Sequence, residues 1–180
     1  MTVVFDSDDL SILLTRVSSD VYDYLKEYET YNIVFVGILT NGLFFARRIQ
    51  DLLKKRNCFI ETPVMGLDIS LYRDDLASKK KDYLTVGSTS QSVNLDGKHV
   101  VFFDDVLCTG RTARAALNAI FDYGRPEKVS FVALYDRGHR QVPIEPNVVG
   151  KHLDFDMTQR VNVGFIEVIG EDNVELAPFS

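Results

Sequence analysis

An α/β protein with a mostly parallel sheet is what this sequence predicts, and three observations predict it. Apolar runs too short for helices, "NIVFVGI" (Asn32–Ile38), "HVVFF" (His99–Phe103) and "KVSFVALY" (Lys128–Tyr135), read as buried strands. Segments with helical spacing alternate with them, as in strand–helix–strand units. Polar, turn-prone residues follow the strands at Thr40–Gly42, Asp104–Thr112 and Asp136–Arg137. In open sheets of this kind ligands sit at the carboxyl ends of strands, so these three loops are expected to converge on one rim.

Each element has its own signal. Leu10, Leu13, Leu14, Val17, Val21, Tyr24, Leu25 and Tyr28 recur at helical spacing, with Asp6 or Ser7 placed to cap the start. After the first strand, "LTNG" leads into a helix from about Leu43 to Lys55. Its exit carries Lys54, Lys55 and Arg56, cations that suit the negative end of the helix dipole. Met65, Leu67, Ile69 and Leu71 alternate with other residues, as in a strand with two unequal faces. From Arg73 to about Ser92 the chain turns polar, "RDDLASKKKDYLTVGSTSQS", and a connection that long predicts a flap. A helix from about Thr112 to Tyr123 follows the next strand and stops at Gly124. Lys128–Tyr135 is read as the last core strand, and "RVNVGFIEVIGEDNVEL" as two more strands joined near Gly170–Asn173.

Bulk properties exclude several classes of function. The 180 residues predict one domain with an ordinary core. Lys and Arg number 20 against 26 Asp and Glu, a formal charge of −6, so the chain as a whole is no nucleic-acid glue. Two cysteines, Cys58 and Cys108, make no disulfide framework and suit a reducing compartment. "MTVVFDSDDL" lacks the basic and apolar regions of a secretory leader, and no apolar run approaches a membrane span of about 20 residues. A cytoplasmic location is expected.

The most informative stretch is "VVFFDDVLCTGRT" (Val100–Thr112). An apolar strand ends in two acids, then a small turn opens a helix. Backbone N–H groups at that helix start, with the hydroxyls of Thr109 and Thr112, suit a phosphate. A nucleotide P-loop fits poorly, because Gly110 is followed by Arg111 and Asp105 stands at the first glycine position. No G-x-G-x-x-G dinucleotide fingerprint is present. An acidic pair holding Mg²⁺ in a phosphoacceptor domain leaves the adjoining anion cradle unexplained. A sugar phosphate accounts for both halves, the cradle taking the phosphate and the acids accepting hydrogen bonds from ribose hydroxyls.

That stretch resembles the ribose-phosphate motif of type I phosphoribosyltransferases. With "GILTNGLFFARRI", "LDISLYRDDL", "DDVLCTGRTARAALNAIFDYGRP" and "DRGHRQVPIEPNVVGK", the chain is similar in order and spacing to the PyrR family, pyrimidine-operon regulators that are also uracil phosphoribosyltransferases. The resemblance implies a single phosphoribosyltransferase domain over residues 1–180, with a parallel sheet flanked by helices, a flap over about 73–92 and a small C-terminal hood. It implies joining of uracil to 5-phosphoribosyl 1-diphosphate, with Mg²⁺ held mainly by substrate. Asp104 and Asp105 would hold the ribose hydroxyls, and Val106, Leu107, Cys108, Thr109, Gly110, Arg111 and Thr112 the 5-phosphate. Thr40, Asn41 and Gly42 would form the pyrophosphate loop, Arg73 would close over it, and Asp136 and Arg137 would border the base. The family also implies homo-oligomers.

Two departures bear on function. Leu39 and Asn41 flank Thr40 where the RNA-binding pattern of the family has a lysine and an arginine. Ser19 replaces a histidine and Glu145 an arginine, while Thr15, Arg140 and Lys151 are retained. With several cations gone, RNA binding is expected to be lost, since that affinity rests on phosphate contacts. "HLDFDMTQR" also puts Asp154, Phe155 and Asp156 where a Pro-Thr-Ser segment is usual, leaving Phe155 to stack on a base or join the core. Two rival readings remain, a purine phosphoribosyltransferase and a non-enzymatic RNA-binding attenuator.

Overall fold

The structure, a computed structural model, describes residues 2–72, 93–156 and 158–178. Their elements run in the order β1 (Thr2–Phe5), α1 (Ser7–Leu25), β2 (Ile33–Ile38), α2 (Asn41–Lys55), β3 (Val64–Leu67), β4 (His99–Leu107), α3 (Arg111–Phe121), β5 (Lys128–Asp136), β6 (Val148–His152), β7 (Gln159–Gly164), α4 (Ile166–Ile169) and β8 (Asn173–Pro178). The predicted flap and Arg73 lie outside the described residues.

Five strands form a parallel sheet in the order β3-β2-β4-β5-β6. All six residues of β2 are buried, as a strand covered on both faces requires. Alternate residues of β4 serve two cores. Val101 and Phe103 join α1 and α2 on one face, where Phe103 meets Phe35 and Phe45 edge-on at 5.1 and 5.3 Å between ring centroids. Val100 and Phe102 join α3 on the other, where Phe102 stacks on Phe131 at 4.4 Å. The alanines 113, 115, 116 and 119 turn a small-residue face of α3 to that second core.

Local chemistry sets the helix ends. Asp6 caps α1 by accepting the N–H groups of Asp8 and Asp9, and Asp9 returns a bond to the Asp6 N–H, a reciprocal capping box. The start of α2 lies hard against the sheet. A Cβ on Gly37 would meet the backbone of Gly42 and Leu43, and one on Gly42 would meet the Phe103 carbonyl. Only glycine at both positions lets the helix begin there.

The second sheet differs from the expectation of a two-stranded tail. It is antiparallel, in the order β1-β8-β7, so the N-terminal strand closes against the C-terminal one. Four residues preceding a helix cap carry too little pattern to announce β1. Other elements also moved. Lys128–Asp136 is not the last strand of the main sheet, because β6 pairs along its outer side. Alternation at Met65–Leu71 overstated β3, which stops at Leu67 before a 3-10 turn at Ser70–Tyr72. The apolar run after Gly164 is a helical turn ending at Gly170 (φ 86°), not a strand continuation.

At the opposite end of the main sheet from the loops, His99 begins β4. It is buried, its Nε2 lies 2.7 Å from Ser130 Oγ, and that oxygen lies 2.9 Å from Tyr24 Oη. Burial and then the nearby Lys128 ammonium push its pKa down from 6.5 to about 4. The folded state therefore resists protonation that the unfolded chain accepts. The stability this contributes is complete above about pH 6.5 and is lost as pH falls toward 4. In urea unfolding, the stability difference between wild type and His99→Gln should shrink by about 1 to 3 kcal/mol between pH 7 and 4. A difference that stays flat would show that His99 does not titrate this way.

Candidate active site

The β2–β4 ladder ends at Gly37 opposite Phe103, whereas β4 runs four residues further beside β5. Past that point β4 loses one neighbour, and its next two residues are the acids. Asp104 Oδ1 accepts the Asp105 N–H at 3.2 Å, and Asp105 Oδ1 accepts the Val106 N–H at 3.0 Å. The carboxylates thus satisfy backbone where the sheet opens. Asp104 is buried and Asp105 half-buried.

The strand continues through Leu107, so the turn into α3 is only Cys108–Gly110. Gly110, at φ 85°, is the N-cap and offers no side chain to the first turn. The Arg111 N–H donates to Thr109 Oγ1 at 3.4 Å. A helix start whose N-cap supplies no side-chain acceptor suits an anion.

The other two loops meet this one. On one side, Asn41 Nδ2 donates to Asp105 Oδ2 at 2.7 Å and to the Val163 carbonyl at 3.0 Å. Its side chain therefore faces the acid and β7. On the other side, the Arg137 N–H donates to the Leu107 carbonyl at 2.8 Å, and the Gln141 N–H to the Thr109 carbonyl at 2.9 Å. Arg111 Nε reaches Gln141 Oε1 at 2.8 Å. Thr40–Gly42, Asp104–Thr112 and Asp136–Arg137 are brought together as the sequence suggested, while Arg73 lies outside the described residues.

Two residues emerge in ways the spacing could not reveal. Asp136 is buried and held by Arg140, with Arg140 Nη2 at 2.6 Å from Oδ2 and Nη1 at 2.8 Å from Oδ1. Burial alone would raise the Asp136 pKa, but the Arg140 and Gly138 N–H donors outweigh it and hold it below the usual carboxylate value. Arg140 also donates to the carbonyls of Cys108 and Ile144, each at 2.9 Å. It braces the Cys108–Gly110 turn. Arg137 is buried and its guanidinium donates to the Asp156 carbonyl at 3.1 Å. Phe155 packs against the core of the α1–α2 face.

Among the described residues no group of three or more His, Cys, Asp or Glu side chains is placed to hold a metal ion, and no helix is long and apolar enough to cross a membrane. A parallel sheet whose central strand ends in two acids and a short turn into a helix, with a small antiparallel sheet beside it, defines a type I phosphoribosyltransferase fold. Residues 5–165 match the phosphoribosyl transferase domain. The chain belongs to the PyrR family: it is 42% identical over 175 residues to the bifunctional protein PyrR of Ligilactobacillus salivarius, covering 96% of each chain. The bifunctional protein PyrR of Limosilactobacillus fermentum is 38% identical over 174 residues, again 96% of each. In fold it is similar to the hypoxanthine phosphoribosyltransferase of Trypanosoma cruzi, with a TM-score of 0.68 at 18% identity over 99% of this chain and 97% of that one. A hypoxanthine phosphoribosyltransferase from Staphylococcus aureus gives 0.60 at 21% identity over 87% and 80%.

Proposed function

We propose that this chain transfers the phosphoribosyl group of 5-phosphoribosyl 1-diphosphate to uracil, giving UMP and pyrophosphate. The observation that carries the reading is the Asp104–Asp105 pair directly before the Cys108–Gly110 turn, which leads into α3 through a glycine N-cap with no side-chain acceptor. The 5-phosphate sits at that helix start, among the hydroxyls of Thr109 and Thr112. The acids receive the ribose hydroxyls. Glycosidic transfer builds positive charge on the sugar, and carboxylates beside it stabilise that charge best where water is excluded. The backbone of Thr40–Gly42 lies next to Asp105 and takes the leaving pyrophosphate. Arg73 and the flap, by family resemblance, close over it.

Two neighbouring carboxylates offer hard oxygen donors of the kind Mg²⁺ takes while keeping several waters. Asp104 and Asp105 would assist the diphosphate in holding Mg²⁺, which would supply charge neutralisation for the leaving group. Asp136, committed to Arg140, shapes the base side of the rim, and Arg137 and the surrounding backbone border the base. Free cysteines at 58 and 108 suit a reducing cytoplasm.

We infer further that the RNA-binding role of the family is lost. Arg140, one of the cations retained from the RNA-binding pattern, is turned inward to Asp136, and Glu145 lies 3.4 Å from the same guanidinium. Lys151 Nζ sits 4.1 Å over the Phe5 ring. Arg16 donates to the Gly150 carbonyl. The Arg140 guanidinium in particular, committed to Asp136 and two backbone carbonyls, has little left for a phosphate.

Pyrophosphate release with each nucleobase in turn, in the presence of Mg²⁺, tests the reading. Release with uracil alone supports it. Release with hypoxanthine or guanine keeps the chemistry and replaces the base. A folded sample that releases none with any base overturns the enzyme, and a salt-dependent shift of labelled leader RNA would restore the attenuator.

A further inference from the structure

We propose that Asn41 is a positioning residue: it orients Asp105 for the ribose and ties that acid to the antiparallel β1-β8-β7 sheet. The inference rests on the phosphoribosyl-transfer reading and assigns Asn41 a task other than holding pyrophosphate with its side chain. An amide nitrogen carries two N–H donors. Both are used, one on Asp105 Oδ2 at 2.7 Å and one on the Val163 carbonyl of β7 at 3.0 Å. One side chain therefore joins the start of α2, the end of β4 and the second sheet.

The same face of α2 holds that sheet two turns further on. Arg48, seven residues after Asn41, donates to Asp172 at 2.7 and 2.8 Å and to Glu167 at 2.9 and 2.5 Å. Its guanidinium also lies 4.8 Å from the centre of the Phe165 ring. Residues seven apart share a helix face. Arg48 anchors the sheet to the helix, and Asn41 carries its position to the acid.

An amide at position 41 orients Asp105 and leaves its negative charge in place. Asp105 Oδ1 is held from the other side by the Val106 N–H at 3.0 Å, so both oxygens are fixed by neutral donors.

The test uses the full chain, with Asn41→Ala and Asn41→Asp made in parallel. In Asn41→Ala, kcat should fall about 10- to 100-fold while KM for 5-phosphoribosyl 1-diphosphate changes less than about threefold, because orientation of the acid is lost and no phosphate contact is. Amide hydrogen exchange in Gln159–Gly164 should quicken without any substrate. In Asn41→Asp a second carboxylate replaces the donor to Asp105, and kcat should fall at least as far as in Asn41→Ala. A purely structural role for Asn41 would not produce a loss confined to kcat.

The inference is overturned if Asn41→Ala keeps wild-type exchange in β7, if KM rises while kcat holds, or if Asn41→Asp keeps wild-type kcat. If wild type itself releases no pyrophosphate with any base, the transferase reading falls separately. The exchange measurement and the affinity for Mg²⁺ and 5-phosphoribosyl 1-diphosphate then decide whether Asn41 joins acid and sheet.

Discussion

In the Asp104→Asn/Asp105→Asn variant, Mg²⁺-dependent release of pyrophosphate should fall on the order of 10²- to 10³-fold with the fold intact. The structural cost is small for a stated reason. Each carboxylate accepts a backbone N–H through Oδ1, at 3.2 Å for Asp104 and 3.0 Å for Asp105, and an amide oxygen can take over that bond. What an amide cannot do is accept on both sides. At position 105 either the Val106 N–H or Asn41 Nδ2 loses its acceptor, a change worth about 1 kcal/mol. The negative charge beside the developing sugar cation is gone altogether. Activity and stability should therefore separate, with thermal unfolding shifted by only a few degrees. An active double variant would mean that the acids serve the backbone and not the sugar.

Arg140→Ala should be the most damaging single change outside the hydrophobic cores, costing about 3 to 5 kcal/mol. It leaves Asp136, whose side chain is only 5% exposed, a buried charge that has lost its guanidinium and keeps the Gly138 N–H. It also removes the donors to the Cys108 and Ile144 carbonyls, so the Cys108–Gly110 turn loses its brace. KM for 5-phosphoribosyl 1-diphosphate should rise along with the loss of stability. Adding Asp136→Asn to Arg140→Ala should recover part of the stability, because the stranded charge is gone, and recover less of the binding. Urea unfolding of the two single variants and the double one measures this directly. Arg140→Ala unfolding at the same denaturant concentration as wild type would refute the brace.

Arg140 is a cation retained from the family's RNA-binding pattern, and its side chain turns to Asp136. Glu145 signals the change in the sequence, since an acid within reach of a retained cation argues against a phosphate there. Asp136 gave no such signal, because its partner lies four residues on in an irregular segment where no periodicity applies. Asn41 was legible as a lost cation but not as a donor to Asp105, which is 64 residues away. Phe155 was left between base and core, and packing chose the core.

What the sequence determined by itself was whatever depends on neighbours a few residues apart. Apolar runs covered on both faces announced β2, β4 and β5, Asp6 was one of two candidates for the cap of α1, and the start of α3 was placed within a residue of Arg111. The acids followed by a turn and a helix start were legible as a unit, because strand end, turn and helix N-terminus are contiguous in the chain. Tertiary structure decided what depends on distant partners. The four-residue β1 is a strand only because β8 supplies its hydrogen bonds, and β6 only because β5 does. The aim of Arg140 and Asn41 was settled the same way, since a buried charge or amide goes to whichever acceptors the completed fold places within reach.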